Sequence, residues 1–305
     1  MALRHKRALF LALAALPALA ASEVPKKVDY CALKQNPAAY NHAQVEVAGF
    51  FMHGFEDFTM FDPTCTSWFD IWVEYGGTAA SGTMYCCGTD GKRSRSKPPV
   101  VEGIEVTLLQ DRNFTEFDRL LHLRASSVVR ATVLGRFFAG EESSLPGGTR
   151  WRGYGHMACC SLLVIQQVLS VDKQDRTDLD YSWDSDRPEW RNAIGVGDMI
   201  PVGPFGELLE GQRAAESGQR PWAFDDPSRV ATEALARLTK TPEESVAGMR
   251  LTKKAPGRLV YEWQPKAGRF WYMVVLSRAY WVSYFARDPN RVAWGVLAAI
   301  DVERK

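Results

Sequence analysis

Between Val28 and Asp172 the chain reads as five or six short strands interrupted by one helix, and few folds can use that pattern. Val45-Glu-Val-Ala-Gly-Phe-Phe alternates as a half-buried strand does. Phe58-Thr-Met-Phe and Trp68 to Tyr75 follow, the second bounded by Gly76-Gly77. Ile104 to Leu109, Val128 to Phe138 and Ser161 to Val171 complete the set. A short helix is expected over Phe114 to Leu123 with Asn113 as its cap. A small pattern recurs, Val47-x-Gly49-x-Phe51 and Val133-x-Gly135-x-Phe137, and each glycine is expected where a strand bends around a barrel.

Short strands with one intervening helix match a small closed barrel of the OB type. The stretch Pro37 to Cys65, with Tyr40, Val45, Val47, Gly49, Asp62 and Cys65, carries a Pro/Tyr turn, a Val-x-Val-x-Gly strand and an Asp-x-x-Cys loop. Together with Gly153-Tyr-Gly-His-Met, it resembles uncharacterised exported bacterial proteins with an OB-like barrel. The resemblance covers the N-terminal half, and it implies a barrel and a bacterial envelope without implying an activity.

The other half differs. Residues 173–203 are acidic, with Asp175, Asp178, Asp180, Asp184 and Asp186, and then rich in Pro and Gly, as an inter-domain connection is. Tyr181, Trp183 and Trp190 suggest that it is pinned to a surface. Beyond it, helices are expected over Phe205 to Glu216 and, capped by Asp226 with Pro227 at the first position, on to Leu238. Strands are expected at Arg258–Trp263, Phe270–Leu276, Tyr280–Ala286 and Val292–Val302, forming a meander with helices over one face. The fold class is therefore mixed β and α+β: an N-terminal OB-like β-barrel, then a C-terminal antiparallel sheet with helices. The expected boundaries are 1–20 signal peptide, 25–172 barrel, 173–203 linker and 204–305 α+β domain.

The first residues set the compartment. Arg4-His-Lys-Arg7, an apolar run from Ala8 to Ala20 and small residues at Ala18 and Ala20 have the form of a cleavable signal peptide. Thirteen residues, broken only by Pro17, fall short of the ~20 that span a bilayer, and no later stretch is long and apolar enough to span one. Removing this segment leaves 34 basic against 36 acidic side chains, a net charge of −2. A protein near neutrality has no global field to gather nucleic acid. The expected location is periplasmic or secreted, with no transmembrane segment and no nucleic-acid partner.

Six cysteines, Cys31, Cys65, Cys86, Cys87, Cys159 and Cys160, then read as disulfide candidates, with fifteen possible full pairings. A doublet on a strand points its side chains to opposite faces, so each doublet is expected to divide its bonds between partners. His156 near Cys159-Cys160 invites a metal, but no C-x-x-C spacing occurs, so neither a metal nor a cofactor is expected. The aspartates of 178–186 lack the glycine turn and closing Glu of a calcium loop. Ser94-Arg-Ser-Lys97 copies S-x-x-K in a loop without its companion elements. The basic residues of that loop, Lys92, Arg93, Arg95 and Lys97, read as solvated.

Of the histidines, His42 and His53 flank the first strand at the surface, His122 lies in the helix, and His156 in a glycine-rich turn is the one singled out for function. In the C-terminal half, Trp271-Tyr272 and Tyr280-Trp281 with Arg278 nearby have interface composition, unless helices and barrel cover both faces of the sheet. The candidate binding residues are therefore His156, Trp271, Tyr272, Tyr280, Trp281 and Arg278. The functional expectation is an exported, non-enzymatic binding protein whose partner is an envelope protein or a small ligand. The alternative is an envelope hydrolase with a site assembled from residues distant in sequence.

Overall fold

The computed structural model describes residues 24–54, 57–65, 71–83, 93–123, 127–145, 148–155, 158–172, 176, 178–181, 199–200, 206–246, 248–265 and 270–303. The leader, Cys86-Cys87, His156, Trp68, Lys92 and most of the acidic segment, Trp183 and Trp190 included, lie outside the described residues.

A two-residue strand β1 (Lys26–Lys27) and helix α1 (Tyr30–Gln35) lead into β2 (Gln44–His53), β3 (Phe58–Phe61) and β4 (Ile71–Tyr75). A hairpin of β5 (Val100–Val101) and β6 (Ile104–Glu105) precedes helix α2 (Arg112–Leu121). Next come β7 (Val128–Phe138), the hairpin β8 (Glu141–Leu145) and β9 (Gly148–Arg152), and β10 (Leu162–Val171). The pairing β2–β3–β4–β10–β7–β2 closes a five-stranded barrel of the OB-like kind, parallel only between β4 and β10. Every other residue of β2 and β7 faces inward: Val45, Val47 and Phe51 meet Val129, Ala131, Val133 and Phe137. Helix α2 plugs one end with Phe114, Phe117 and Leu121, and the rings of Phe117 and Phe51 lie edge to face at 5.1 Å. Each such side chain contributes roughly 1.5–3 kcal/mol by leaving water.

Some local expectations change. Asp111, not Asn113, caps α2, because Asp111 has the extended backbone before the first turn and its carboxylate accepts from Phe114 N at 2.9 Å. Asn113 instead donates to Leu169 O. Gly49 and Gly135 are close-approach positions: a Cβ there would meet Met60 at 2.4 Å and Leu163 at 2.8 Å. The register shifts lie in β10, one opposite Gly135 between Ile165 and Gln167 and one between Val168 and Ser170. Beyond β6 no strand continues from Val106 to Leu109.

Cys31 bonds to Cys65, tying α1 to the loop after β3. Cys159 bonds to its neighbour Cys160, against the expectation that a doublet splits. The doublet sits in a turn that Ala158 enters with a left-handed backbone (φ 56), and β10 starts only at Leu162, so no pleat separates the two side chains.

The second half has β11 (Met199–Ile200), α3 (Gly206–Glu216), α4 (Pro227–Thr239), β12 (Arg250–Ala255), β13 (Arg258–Trp263), β14 (Phe270–Ser277) and β15 (Gly295–Glu303). The sheet order is β11-β15-β14-β13-β12, all antiparallel. Asp226 caps α4 as expected, accepting from Arg229 N at 3.0 Å. The strand expected over Tyr280–Ala286 is a 3₁₀ turn (Tyr280–Tyr284), because Tyr280 N and Arg278 O bond to Asp180 and divert the chain. The fourth meander strand is β12, solvent-exposed throughout and lacking any apolar alternation that would betray it.

Helix α4 covers one face of this sheet, and α3 packs beside β15, with Ala215 in the cluster on that face and Leu208 and Leu209 in the one on the other. The other face meets the barrel: Phe50, Met52, Phe61 and Val128 on the barrel wall share one apolar cluster with Tyr280, Trp281, Val275 and Ile300. Asp180 fastens the acidic segment to the sheet through a buried ion pair with Arg258 (2.5 Å), and Ser277 donates to the same carboxylate oxygen.

Candidate functional site

The loop between β7 and β10 is long and folds back on itself. Tyr154 N donates to Cys160 O at 2.7 Å and Cys160 N to Tyr154 O at 3.0 Å, so the doublet and Tyr154 are held as one small ring of backbone. Gly155, at φ 75, lies flat on the Trp72 indole, where any side chain would collide. This presents the Tyr154 hydroxyl to Glu102, to which it donates a hydrogen bond. Glu102 stands at the tip of the β5–β6 hairpin, and its other oxygen meets His42 Nε2 at 2.5 Å. His42 precedes β2 and is fixed by its own N–H to Phe137 O and by Arg136, which donates to its carbonyl. Its ring stands edge-on to Phe138 at 5.7 Å.

His42, Glu102 and Tyr154 thus form a corner at the barrel end opposite α2, with the imidazole and carboxylate 45% and 38% exposed. Burial raises the Glu102 pKa, but the bonds from Tyr154 and His42 outweigh it and hold the carboxyl below its ordinary value. An ionised Glu102 only accepts, so His42 Nε2 carries the proton of the bond between them. The corner offers an anion, a phenol and an imidazole beside an aromatic wall.

Its backbone is strained. Among the described residues four non-glycines have positive φ, and three of them are here: His42 (60), Glu102 (47) and Ala158 (56). The fourth, Lys240, ends α4 as a left-handed cap. Such residues cost on the order of 1–3 kcal/mol each, and strain of this kind gathers at functional sites.

A second polar cluster lies at the α2 end. The His53 and His122 rings are 4.5 Å apart; His53 Nε2 donates to Ser81 O and His122 Nδ1 to Asp118 O. Burial, then the neighbouring His122, lowers His53 to about 4. His122 is also lowered, mainly by burial. Arg93 pairs with Asp118 while its side chain stays 42% exposed, whereas Arg95 turns inward to lie 3.7 Å from Glu74 and is not a solvated loop charge. Glu74, 1% exposed, is raised by burial to about 7, although the Ser81 hydroxyl and Arg95 pull the other way. Among the described residues, no three His, Cys, Asp or Glu side chains gather to hold a metal ion.

The residues singled out from the C-terminal sequence do not converge. Trp271 and Tyr272 face opposite sides of β14, each half-buried. Tyr280 and Trp281 are 2% exposed, sealed between sheet and barrel, with Tyr280 stacked on Tyr181 at 4.8 Å. Arg278 is half-buried over the Trp294 ring at 4.6 Å and donates to Phe224 O. Sequence reasoning placed His42 at the surface but passed over Glu102 and Tyr154; the clue was Tyr154 inside the Gly153-Tyr-Gly segment. Comparison of the chain with protein-family models, with curated proteins and with solved structures finds no match.

Proposed function

We propose that the protein is an exported, non-enzymatic binding protein that holds a small polar ligand at the His42–Glu102–Tyr154 corner. The carrying observation is the meeting there of three hydrogen-bonding side chains from separate loops, His42 among them on a left-handed backbone. The loop between the fourth and fifth strands of an OB-type barrel is a customary ligand-binding loop, and Tyr154 stands in it. The outer face carrying Phe50 and Phe61 is covered by the C-terminal sheet, which turns attention to the barrel end. The Cys31–Cys65 bond and the basic-then-apolar leader fit a periplasmic or secreted location and the resemblance to exported bacterial proteins. No described helix is long and apolar enough to cross a membrane.

A thermal-shift screen of polar metabolites and glycans tests this, comparing the native sequence with Tyr154→Phe and Glu102→Gln. Ligands that raise the melting temperature of the native chain alone are expected. A hit that stabilises all three equally sinks the assignment. N-terminal sequencing of the native protein, expected to begin near Ala21, tests export; a start at Met1 refutes it.

The rival, an envelope hydrolase, draws on the same pair: His42 and Glu102, 60 residues apart, are already bonded as a base and its orienting carboxylate are. Turnover of ester or glycoside substrates, lost in Glu102→Gln, would favour it.

A further inference from the structure

The two described bridges are of different kinds. Cys31–Cys65 joins positions 34 apart whose Cα atoms lie 5.6 Å from each other, inside the roughly 4.4–6.8 Å usual for a disulfide. Cys159 and Cys160 are neighbours, and the peptide between them holds their Cα atoms at 3.7 Å. No adjacent pair can reach the usual span, and a bridge closed below it is the more easily reduced.

The adjacent pair also sits where its state is felt. Cys160, 4% exposed, belongs to an apolar cluster with Trp72, Val101 and Phe138, and Ile104, Tyr154 and Cys159 pack against it. Val101 and Ile104 bracket Glu102 at the hairpin tip, so one cluster seats both the tyrosine and the carboxylate of the barrel corner. Cys159 is partly exposed, its sulfur 3.8 Å from Tyr154 O. Bonded sulfurs lie about 2.0 Å apart, whereas two thiols need at least the roughly 3.5–4.0 Å of a non-bonded contact. The packed cluster leaves no room for that on the Cys160 side. Cys159 must therefore move, and with it the turn that two backbone bonds join to Tyr154. Ala158, left-handed at φ 56, is the costly residue through which that turn can relax.

We propose that Cys159–Cys160 is a redox switch for the corner: closed, it holds Tyr154 on Glu102; opened by a dithiol, it releases Tyr154 and weakens binding there. The switch rests on the corner being the binding site. A thiolate of the dithiol attacks the accessible Cys159 sulfur and forms a mixed disulfide; the bond to Cys160 breaks, and Cys160 leaves as a thiolate that takes up a proton. The second thiolate of the reductant then attacks its own bonded sulfur and displaces Cys159, which is protonated in turn. Two electrons pass to the cysteines, and the reductant departs as a disulfide.

The first half of the test is limited reduction of the full chain with dithiothreitol, alkylation and peptide mapping. Cys159–Cys160 is expected to open at a dithiothreitol concentration at least about tenfold below that needed for Cys31–Cys65. The second half is the pH titration of the Glu102 carboxyl carbon by NMR, its signal identified by loss in Glu102→Gln. Tyr154 helps to hold Glu102 low, so opening the pair should raise it to the value found in Tyr154→Phe. Cys159→Ser with Cys160→Ser should raise it as far without reductant, and the reduced native chain gives the same reading free of any substitution. A bridge with a merely structural role would lower the melting temperature and leave that titration unmoved. An unmoved titration in the reduced chain, or opening no earlier than Cys31–Cys65, overturns the switch. Both readouts use the ligand-free chain, so their failure is the switch's alone, whereas a ligand screen without hits counts against the corner as a binding site.

Discussion

Glu74 is a carboxyl group placed where its charge is least welcome, and replacing it by glutamine should make that visible. It ionises near its ordinary 4.5 in the unfolded chain and near 7 in the folded protein. Between those values the folded protein holds the extra proton, so its stability falls as pH rises through that window. The gap is worth about 3.4 kcal/mol in total, at about 1.36 kcal/mol per pH unit. Integrated from about pH 5 to about pH 8, it is about 2.5 kcal/mol. Glu74→Gln keeps the shape and the Ser81 hydrogen bond but cannot ionise. Its stability relative to the native chain, from urea unfolding, should therefore improve by about 2.5 kcal/mol between about pH 5 and about pH 8. His53 and His122 slope the other way, because their lowered values make the unfolded chain the better proton acceptor on acidification. Their contribution is common to both proteins and cancels in the difference. A difference between the two proteins that does not change with pH would refute the reasoning.

Asp180→Ala leaves the Arg258 guanidinium buried without this partner and should cost about 3–5 kcal/mol in urea unfolding, whereas Asp180→Leu with Arg258→Met should recover most of the loss. A cost below about 1 kcal/mol would show that the pair is not buried as described. Replacing Cys31 and Cys65 by serine opens a bridge between positions 34 apart and should cost about 3–4 kcal/mol, read as a lower urea midpoint with a slope that rises because the unfolded chain is freer. Limited proteolysis within 173–203 should yield fragments that still co-elute on native gel filtration, held by the cluster around Phe50 and Tyr280; immediate separation would contradict that shared core.

Strand periodicity carried most of the barrel. Val128–Phe138 alternates faithfully because one of its faces lines the core and the other is partly wet, and its boundaries were legible to the residue. β12 was invisible for the opposite reason: its side chains all face solvent, and it is held by backbone bonds to β13. The aromatic run at Tyr280 suggested a strand, but Asp180, a hundred residues earlier, bends it into a turn through tertiary bonds. The candidate site was the least legible part. His42, Glu102 and Tyr154 come from three separate loops, and no local spacing announces their meeting. The Cys159-Cys160 bond was not legible because adjacent side chains diverge on a strand, whereas this doublet lies in the turn before β10.

The apolar wall shared by barrel and sheet has a consequence in time. A chain emerges N-terminus first, on the ribosome or through a translocon, so the barrel is complete once Val171 is out. Tyr280 and Trp281, which cover Phe50 and Phe61, follow about 110 residues later, or about 5–22 s at ordinary synthesis speeds of about 5–20 residues per second. For that interval a finished barrel displays a bare aromatic face, the kind of surface through which nascent chains stick to one another. A holdase that recognises aromatic patches would find its client here, and the newborn molecule would depend on it more than the mature one.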